Sequence, residues 1–154
     1  MTDIVSTATR SRMMAGIKSG HTQPEMLVRR LLHRQGFRFR LHVRTLPGKP
    51  DIVLPRYQAV IFVHGCFWHG HHCPLFRLPG TRQNFWRHKI DCNRAHDQKV
   101  IKVLMLAGWR VGVVWECAVR GAGKNADMVV AQHLSDWLQG KNTFLEESAC
   151  QAAT

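Results

Sequence analysis

Five consecutive apolar residues, AVIFV at 59–63, stand out in a chain otherwise dotted with arginine and histidine. A run without alternation suits a central strand buried on both faces, which requires helices packed on either side of its sheet. The flanking patterns supply such elements. Thr22 and Glu25 have capping-box spacing, Pro24 falls in the first turn, and Leu27, Leu31 and Leu32 form an apolar stripe, so a helix is expected to end at Gly36. Phe37, Phe39, Leu41 and Val43 alternate with Arg38, Arg40 and His42, the period of a strand with one apolar and one basic face. After the turn LPGKP, Asp51 opens the run IVL, and Pro55 to Gln58 turn the chain into AVIFV.

From about Asn84 to Ala107 a helical pattern points Val100, Ile101, Leu104 and Leu106 inward and stops at Gly108, before the strand WRVGVVW. A last helix carries Val130, Leu134, Trp137 and Leu138, and Trp109, Trp115 and Trp137 read as core. The order helix, three strands, helix, strand, helix predicts one α/β domain, a mixed central sheet flanked by helices. Residues 1–19 read as a basic arm, with Arg10, Arg12 and Lys18 beside Met13 and Met14. Residues 20–140 read as the single domain, and residues 141–154 as a disordered tail.

Lysine and arginine number 22 against 10 acidic residues, a net charge of +12 over 154 residues. Such an excess attracts polyanions, nucleic acid among them, but basic enzymes and membrane-surface proteins share it, so motifs must decide. No apolar stretch has the length of a signal peptide or a membrane span, which makes the reducing cytoplasm the expected compartment. There the five cysteines are better read as thiols or metal ligands than as disulfides.

The loop HGCFWHGHHCP holds Cys66, His69, His71, His72 and Cys73, and Cys117 follows a strand that can return beside it. Three thiolates and one imidazole form a closed tetrahedral zinc site of the structural kind; spacing leaves His69, His71 and His72 open as the fourth ligand. Cys92, in a helical pattern without nearby ligand types, and Cys150, in the tail, are set aside.

Asp51, at the mouth of a strand, is the best-placed ligand for a hard cation such as magnesium, although an aspartate after a turn can simply cap backbone. Glu25 carries the same two readings, because a capping box accounts for it. His64 and His69 are candidates for proton transfer beside Asp51. Phe67, Trp68 and Trp86 are large aromatics in a polar loop and at the start of a basic helix. They can act as wedges between base pairs, or pack on one another over the loop.

With PGKPDIVL, AVIFVHGCFWHGHHCPLF, TRQNFW and GWRVGVVWECAVRG in order, the chain closely resembles the very short patch repair endonucleases of bacteria, from ATRSRMMAGI to about residue 138. The resemblance implies a restriction-endonuclease-like core and a nick 5′ of the thymine in a T·G mismatch left by deaminated 5-methylcytosine. It implies Asp51 and the main-chain carbonyl of Val63 as magnesium ligands, His69 as general base, and Glu25 and His64 as assisting residues. It selects Cys66, His71, Cys73 and Cys117 for zinc, and Phe67, Trp68 and Trp86 as the wedge, with Met14 entering from the opposite groove. Double-stranded DNA is the implied partner of a monomer in the bacterial nucleoid, with mismatch repair proteins as further partners by resemblance alone. Asn93 and Asp97 stand where the family has them; His96 replaces a frequent arginine, and Val63 a threonine. Two rival readings are a restriction-type nuclease acting on intact duplex and a non-catalytic zinc protein that binds mismatches.

Overall fold

The computed structural model describes residues 22–71, 73, 78–120 and 125–149. The arm that carries Met14, the histidine at 72 and the end of the tail with Cys150 lie outside those residues. In chain order the elements are α1 (Gln23–Arg34), β1 (Arg40–Leu41), β2 (Ile52–Leu54), a 3-10 turn (Pro55–Tyr57) and β3 (Ala59–His64). There follow α2 (Gln83–Leu106), β4 (Arg110–Trp115), α3 (Glu116–Arg120), α4 (Ala126–Gln139) and β5 (Phe144–Glu147).

The five strands lie in the order β1-β2-β3-β4-β5. β1, β2 and β3 pair antiparallel, whereas β3–β4 and β4–β5 pair parallel, so the sheet is mixed, as expected from the sequence. A parallel pair needs a long crossover, and α2 provides it between β3 and β4. The central strands β3 and β4 are apolar between Arg110 at the start of one and His64 at the end of the other, because both faces are covered. Val28, Leu31 and Leu32 of α1 and Val130, Leu134, Trp137 and Leu138 of α4 pack with Ile52, Ile61 and Val114 on one side. On the other, Val100 and Leu104 of α2 pack with Val60, Phe62, Val111 and Val113. Leu104 is fully buried, so Leu104→Ala would cost about 2–5 kcal/mol.

Several local expectations are corrected. The basic-faced strand expected over 37–43 shrinks to Arg40–Leu41, because His42 takes a left-handed conformation (φ 48°) that ends the pairing. On α1 the stripe is led by Val28 and not by Leu27, and Leu106 is 79% exposed at the end of α2 instead of inward.

The tail past Gly140 does not simply fray, for Phe144–Glu147 form a parallel edge strand on β4. Arg110 explains this, since its guanidinium donates to the carbonyls of Trp137, Leu138 and Asn142 and steers the chain back after α4. His133 on α4 then holds Glu147 through contacts of 2.9 Å to both carboxylate oxygens. No helix among the described residues is long and apolar enough to cross a membrane.

Candidate functional site

The acid centre is assembled by the turn before β2. Gly48 adopts φ +73°, and a side chain there would lie 2.3 Å from a methyl carbon of Val100, so only glycine lets the turn lie flat on α2. Lys49 follows, also left-handed at φ 47°. The turn delivers Asp51 against the end of β3, where its Oδ2 accepts the Val63 N–H at 2.8 Å.

Behind Asp51, the N-terminal turn of α1 places Glu25, which is only 1% exposed. Its N–H does donate to Thr22 Oγ1 at 3.4 Å, as the capping spacing requires. Its carboxylate is not needed for the cap: it accepts from His42 Nε2 at 3.0 and 3.1 Å and from Arg29 at 2.6 Å. The backbone N–H of His42 donates in turn to the Asp51 carbonyl at 3.1 Å. Oxygen or nitrogen atoms of Glu25, His42 and Asp51 all lie within 4.8 Å of one another.

Burial pushes the Asp51 carboxyl up to about 7; the Val63 N–H opposes that shift, while the negative charge of Glu25 adds to it. For Glu25, burial acts upward, but the bonds with His42 and Asp51 and the charges of His42 and Arg29 carry the net shift below the ordinary value. The two carboxyls thus resist carrying two negative charges side by side, a repulsion that a divalent cation would remove. Hard oxygen donors beside an open cleft fit magnesium.

Opposite stands a histidine group. His64 ends β3 and is 6% exposed. Its ring stacks on His69, with centroids 3.9 Å apart and planes 9° from parallel. Nδ1–H of His69 donates to Asp97 of α2 at 2.5 Å. Burial, aided by the neighbouring His69 and opposed by Asp97, holds His64 down to about 3, so it stays a neutral imidazole.

Two contacts fix the loop on α2: Asn93 donates to the Trp68 carbonyl at 2.8 Å, and Gly70 (φ +63°) packs where a Cβ would meet Ile90 at 2.5 Å. Asp51, Val63, His64, His69 and Asp97 line one cleft of about 530 Å³, with Arg44 and Lys49 as its cations and His96 on the same wall.

Ligand atoms of Cys66, His71, Cys73 and Cys117 also lie within 4.8 Å of one another. The loop brings the first three together, since His71 N–H donates to the Cys66 carbonyl at 2.9 Å. Cys117 opens onto them from the first turn of α3, its Sγ 3.5 Å from His71 Nδ1. His71 stacks on Trp115 at 4.2 Å. Burial raises the pKa values of the Cys66 and Cys117 thiols above the usual value, a cost that a bound soft cation removes by stabilising thiolates. Three sulfurs and one imidazole suit zinc. Of the histidines left open by spacing, the structure groups His71 with the cysteines and His69 with Asp97. Cys92 lies apart and exposed.

Phe67, Trp68 and Trp86 pack as one cluster, with ring centroids 5.1 to 5.9 Å apart. They pack on one another, yet each is only half-buried. Phe85 extends the cluster, 5.3 Å from Trp86 and 46% exposed, with the Arg82 guanidinium 4.4 Å above its ring. Sequence reading missed Phe85, whose only signal is adjacency to Trp86. It also missed His42, whose partner Glu25 is distant along the chain.

The sequence profile of the family described as DNA mismatch endonuclease Vsr matches residues 2–75. The DNA mismatch endonuclease Vsr of Escherichia coli is 45% identical over 141 residues, which cover 92% of this chain and 90% of that one. The chain belongs to the Vsr DNA mismatch endonuclease family. Two further relatives are the nicking enzymes V.XorIIP of Xanthomonas oryzae, 50% identical over 80% of this chain and 90% of its own, and V.NmeAIP of Neisseria meningitidis, 47% identical over 78% and 86%.

This Vsr-family chain is therefore a DNA endonuclease, a hydrolase of phosphodiester bonds, and the family implies a divalent metal. Its mixed sheet with flanking helices is the restriction-endonuclease-like core of the family.

Proposed function

We propose that this endonuclease nicks one strand of duplex DNA on the 5′ side of the thymine in a T·G mismatch, the product of 5-methylcytosine deamination, in a magnesium-dependent hydrolysis. The observation that carries the reading is the meeting, in one cleft, of Asp51, with Glu25 buried behind it, and the His64–His69–Asp97 group. Family membership and the nicking relatives support the substrate class.

Asp51 and the carbonyl of Val63 would hold magnesium, which when bound neutralises charge on the phosphate and lowers the pKa of the attacking water. Glu25 shares the Asp51 site and is positioned by His42 and Arg29. His69 is the general base. Because its Nδ1–H is committed to Asp97, its Nε2 carries the lone pair that takes the water proton. His64, kept neutral, supports the plane of that ring by stacking.

Cys66, His71, Cys73 and Cys117 would hold a structural zinc that ties the catalytic loop to the start of α3. The loop carries His69 and two of the three wedge aromatics, so the same ion fixes base and wedge together. Insertion of Phe67, Trp68 and Trp86 unstacks a base step at a cost of roughly a few kcal/mol, less at a mismatch already weakened, which gives selectivity. Met14 is assigned to the opposite groove by resemblance only.

A single centre in a monomer cuts one strand. Supercoiled plasmid carrying one T·G pair should accordingly be converted to nicked circles and not to linear DNA. Linear product would replace this reading with a restriction-type nuclease, and tight binding without cutting would replace it with a recognition protein.

A further inference from the structure

Between residues 26 and 50 the chain has seven cations, Arg29, Arg30, Arg34, Arg38, Arg40, Arg44 and Lys49, and no acidic residue. Arg29 is committed to Glu25, and Arg44 and Lys49 line the catalytic cleft. The remaining four have no part in the site described above. Arg30, Arg34, Arg38 and Arg40 are all exposed, and none forms an ion pair with a described residue.

These arginines are not scattered. Arg30 and Arg34 line one concavity of about 330 Å³, Arg38 lines a second of about 370 Å³, and the two share His33 and Phe39. The concavities thus meet at the C-terminal end of α1. Arg40 continues the basic margin onto β1, one of the two edge strands of the sheet, whose pairing with β2 leads back to Asp51.

Unpaired guanidinium groups gathered on one face repel one another, which costs stability unless a polyanion covers them. Guanidinium matches phosphate geometry through paired hydrogen bonds, which favours arginine over lysine for this contact.

Distance decides whether one duplex can reach both places. Arg38 is four residues from His42, at most about 14 Å of chain. Arg34 is nine residues from Glu25 on the same helix, about 14 Å at the helical rise. At 3.4 Å per phosphate along one strand, that is about four phosphates. We infer that the margin formed by Arg30, Arg34, Arg38 and Arg40 is a second DNA-binding surface, which holds the phosphate backbone of duplex DNA flanking the cut. The inference rests on DNA as substrate, but not on the mismatch or the metal.

The test is equilibrium binding of the full chain and its Arg30→Gln/Arg34→Gln/Arg38→Gln variant to a fully paired duplex, in EDTA, over a range of salt. Each phosphate contact contributes about 0.9 to the slope of log affinity against log salt, so the variant should lose about 2 to 3 from that slope. Its hydroxyl-radical footprint should shorten on one flank only, and saturating-substrate turnover should be unchanged while KM rises.

All three positions are solvent-exposed, and circular dichroism reads directly whether the variant is folded. An unchanged slope together with an unchanged footprint would overturn the inference. A slope that falls without a one-sided loss of footprint would overturn it too, as a general charge effect. Equal binding of T·G and paired duplexes by the unaltered chain would count against the mismatch reading alone.

Discussion

Asp97 on α2 and His69 in the loop after β3 are joined by a 2.5 Å hydrogen bond between residues 28 apart in sequence. The carboxylate fixes which ring nitrogen bears the proton, and an amide in its place can present its NH₂ and favour the wrong tautomer. Asp97→Asn should lower single-turnover nicking by about 100-fold or more, with duplex affinity and zinc content preserved. A wild-type rate would remove Asp97 from the mechanism.

Asp51 supplies a pH dependence with a definite sign. Its carboxyl is raised to about 7, so if Asp51 holds the cation as proposed, a proton competes for that place below this pH and must leave before the cation binds. Magnesium affinity should fall up to about tenfold for each pH unit below about 7 and level off above it. Titration of magnesium against the protein at several pH values reads this directly, and affinity that is flat through neutrality would contradict it. Asp51→Ala should abolish nicking while leaving duplex binding largely intact.

Zinc loss should be visible in the fold as well as in activity. Cys117→Ser removes a proposed zinc ligand, a thiol that is 2% exposed at the first turn of α3. If it costs about 3 kcal/mol, the melting temperature of a chain this size falls by about 6–12 °C. Metal analysis should show zinc falling well below one ion per chain. Full zinc content would mean that Cys117 is not a ligand.

The aromatic cluster predicts a loss of discrimination more than of affinity. Trp68→Ala takes away one ring from the trio, and preference for T·G over paired duplex should drop about tenfold, whereas phosphate-based affinity for paired DNA stays near its original value. Equal losses on both duplexes would assign Trp68 to packing alone.

Much of this was legible in local pattern. AVIFV, the Thr22 cap and the helix ending before Gly108 are written in adjacent residues, and so is the crowded Cys/His loop. The edge strands were not. β1 is cut short by the backbone of His42, and β5 exists because Arg110, far away in sequence, binds the carbonyls that precede it.

Glu25 shows why site residues hide. Its capping spacing is real, but the cap uses its backbone N–H and leaves the carboxylate to His42 and Arg29. His42 itself sits in what reads as the polar face of a strand, and nothing short-range marks it. The Cys66, His71, Cys73 and Cys117 grouping was the opposite case, since three of its members are neighbours in sequence and the fourth follows the strand that pairs with β3.

The central claim is strand-specific, mismatch-dependent, magnesium-dependent nicking. It is tested most directly with a short duplex carrying one T·G pair, each strand labelled in turn, beside its T·A counterpart, with magnesium and then with EDTA, over a panel of flanking sequences. The account predicts a single cut 5′ of the thymine, on the thymine strand, in the T·G duplex and only with magnesium. Cutting of the T·A duplex to the same extent, or of the guanine strand, or undiminished cutting in EDTA, would contradict it.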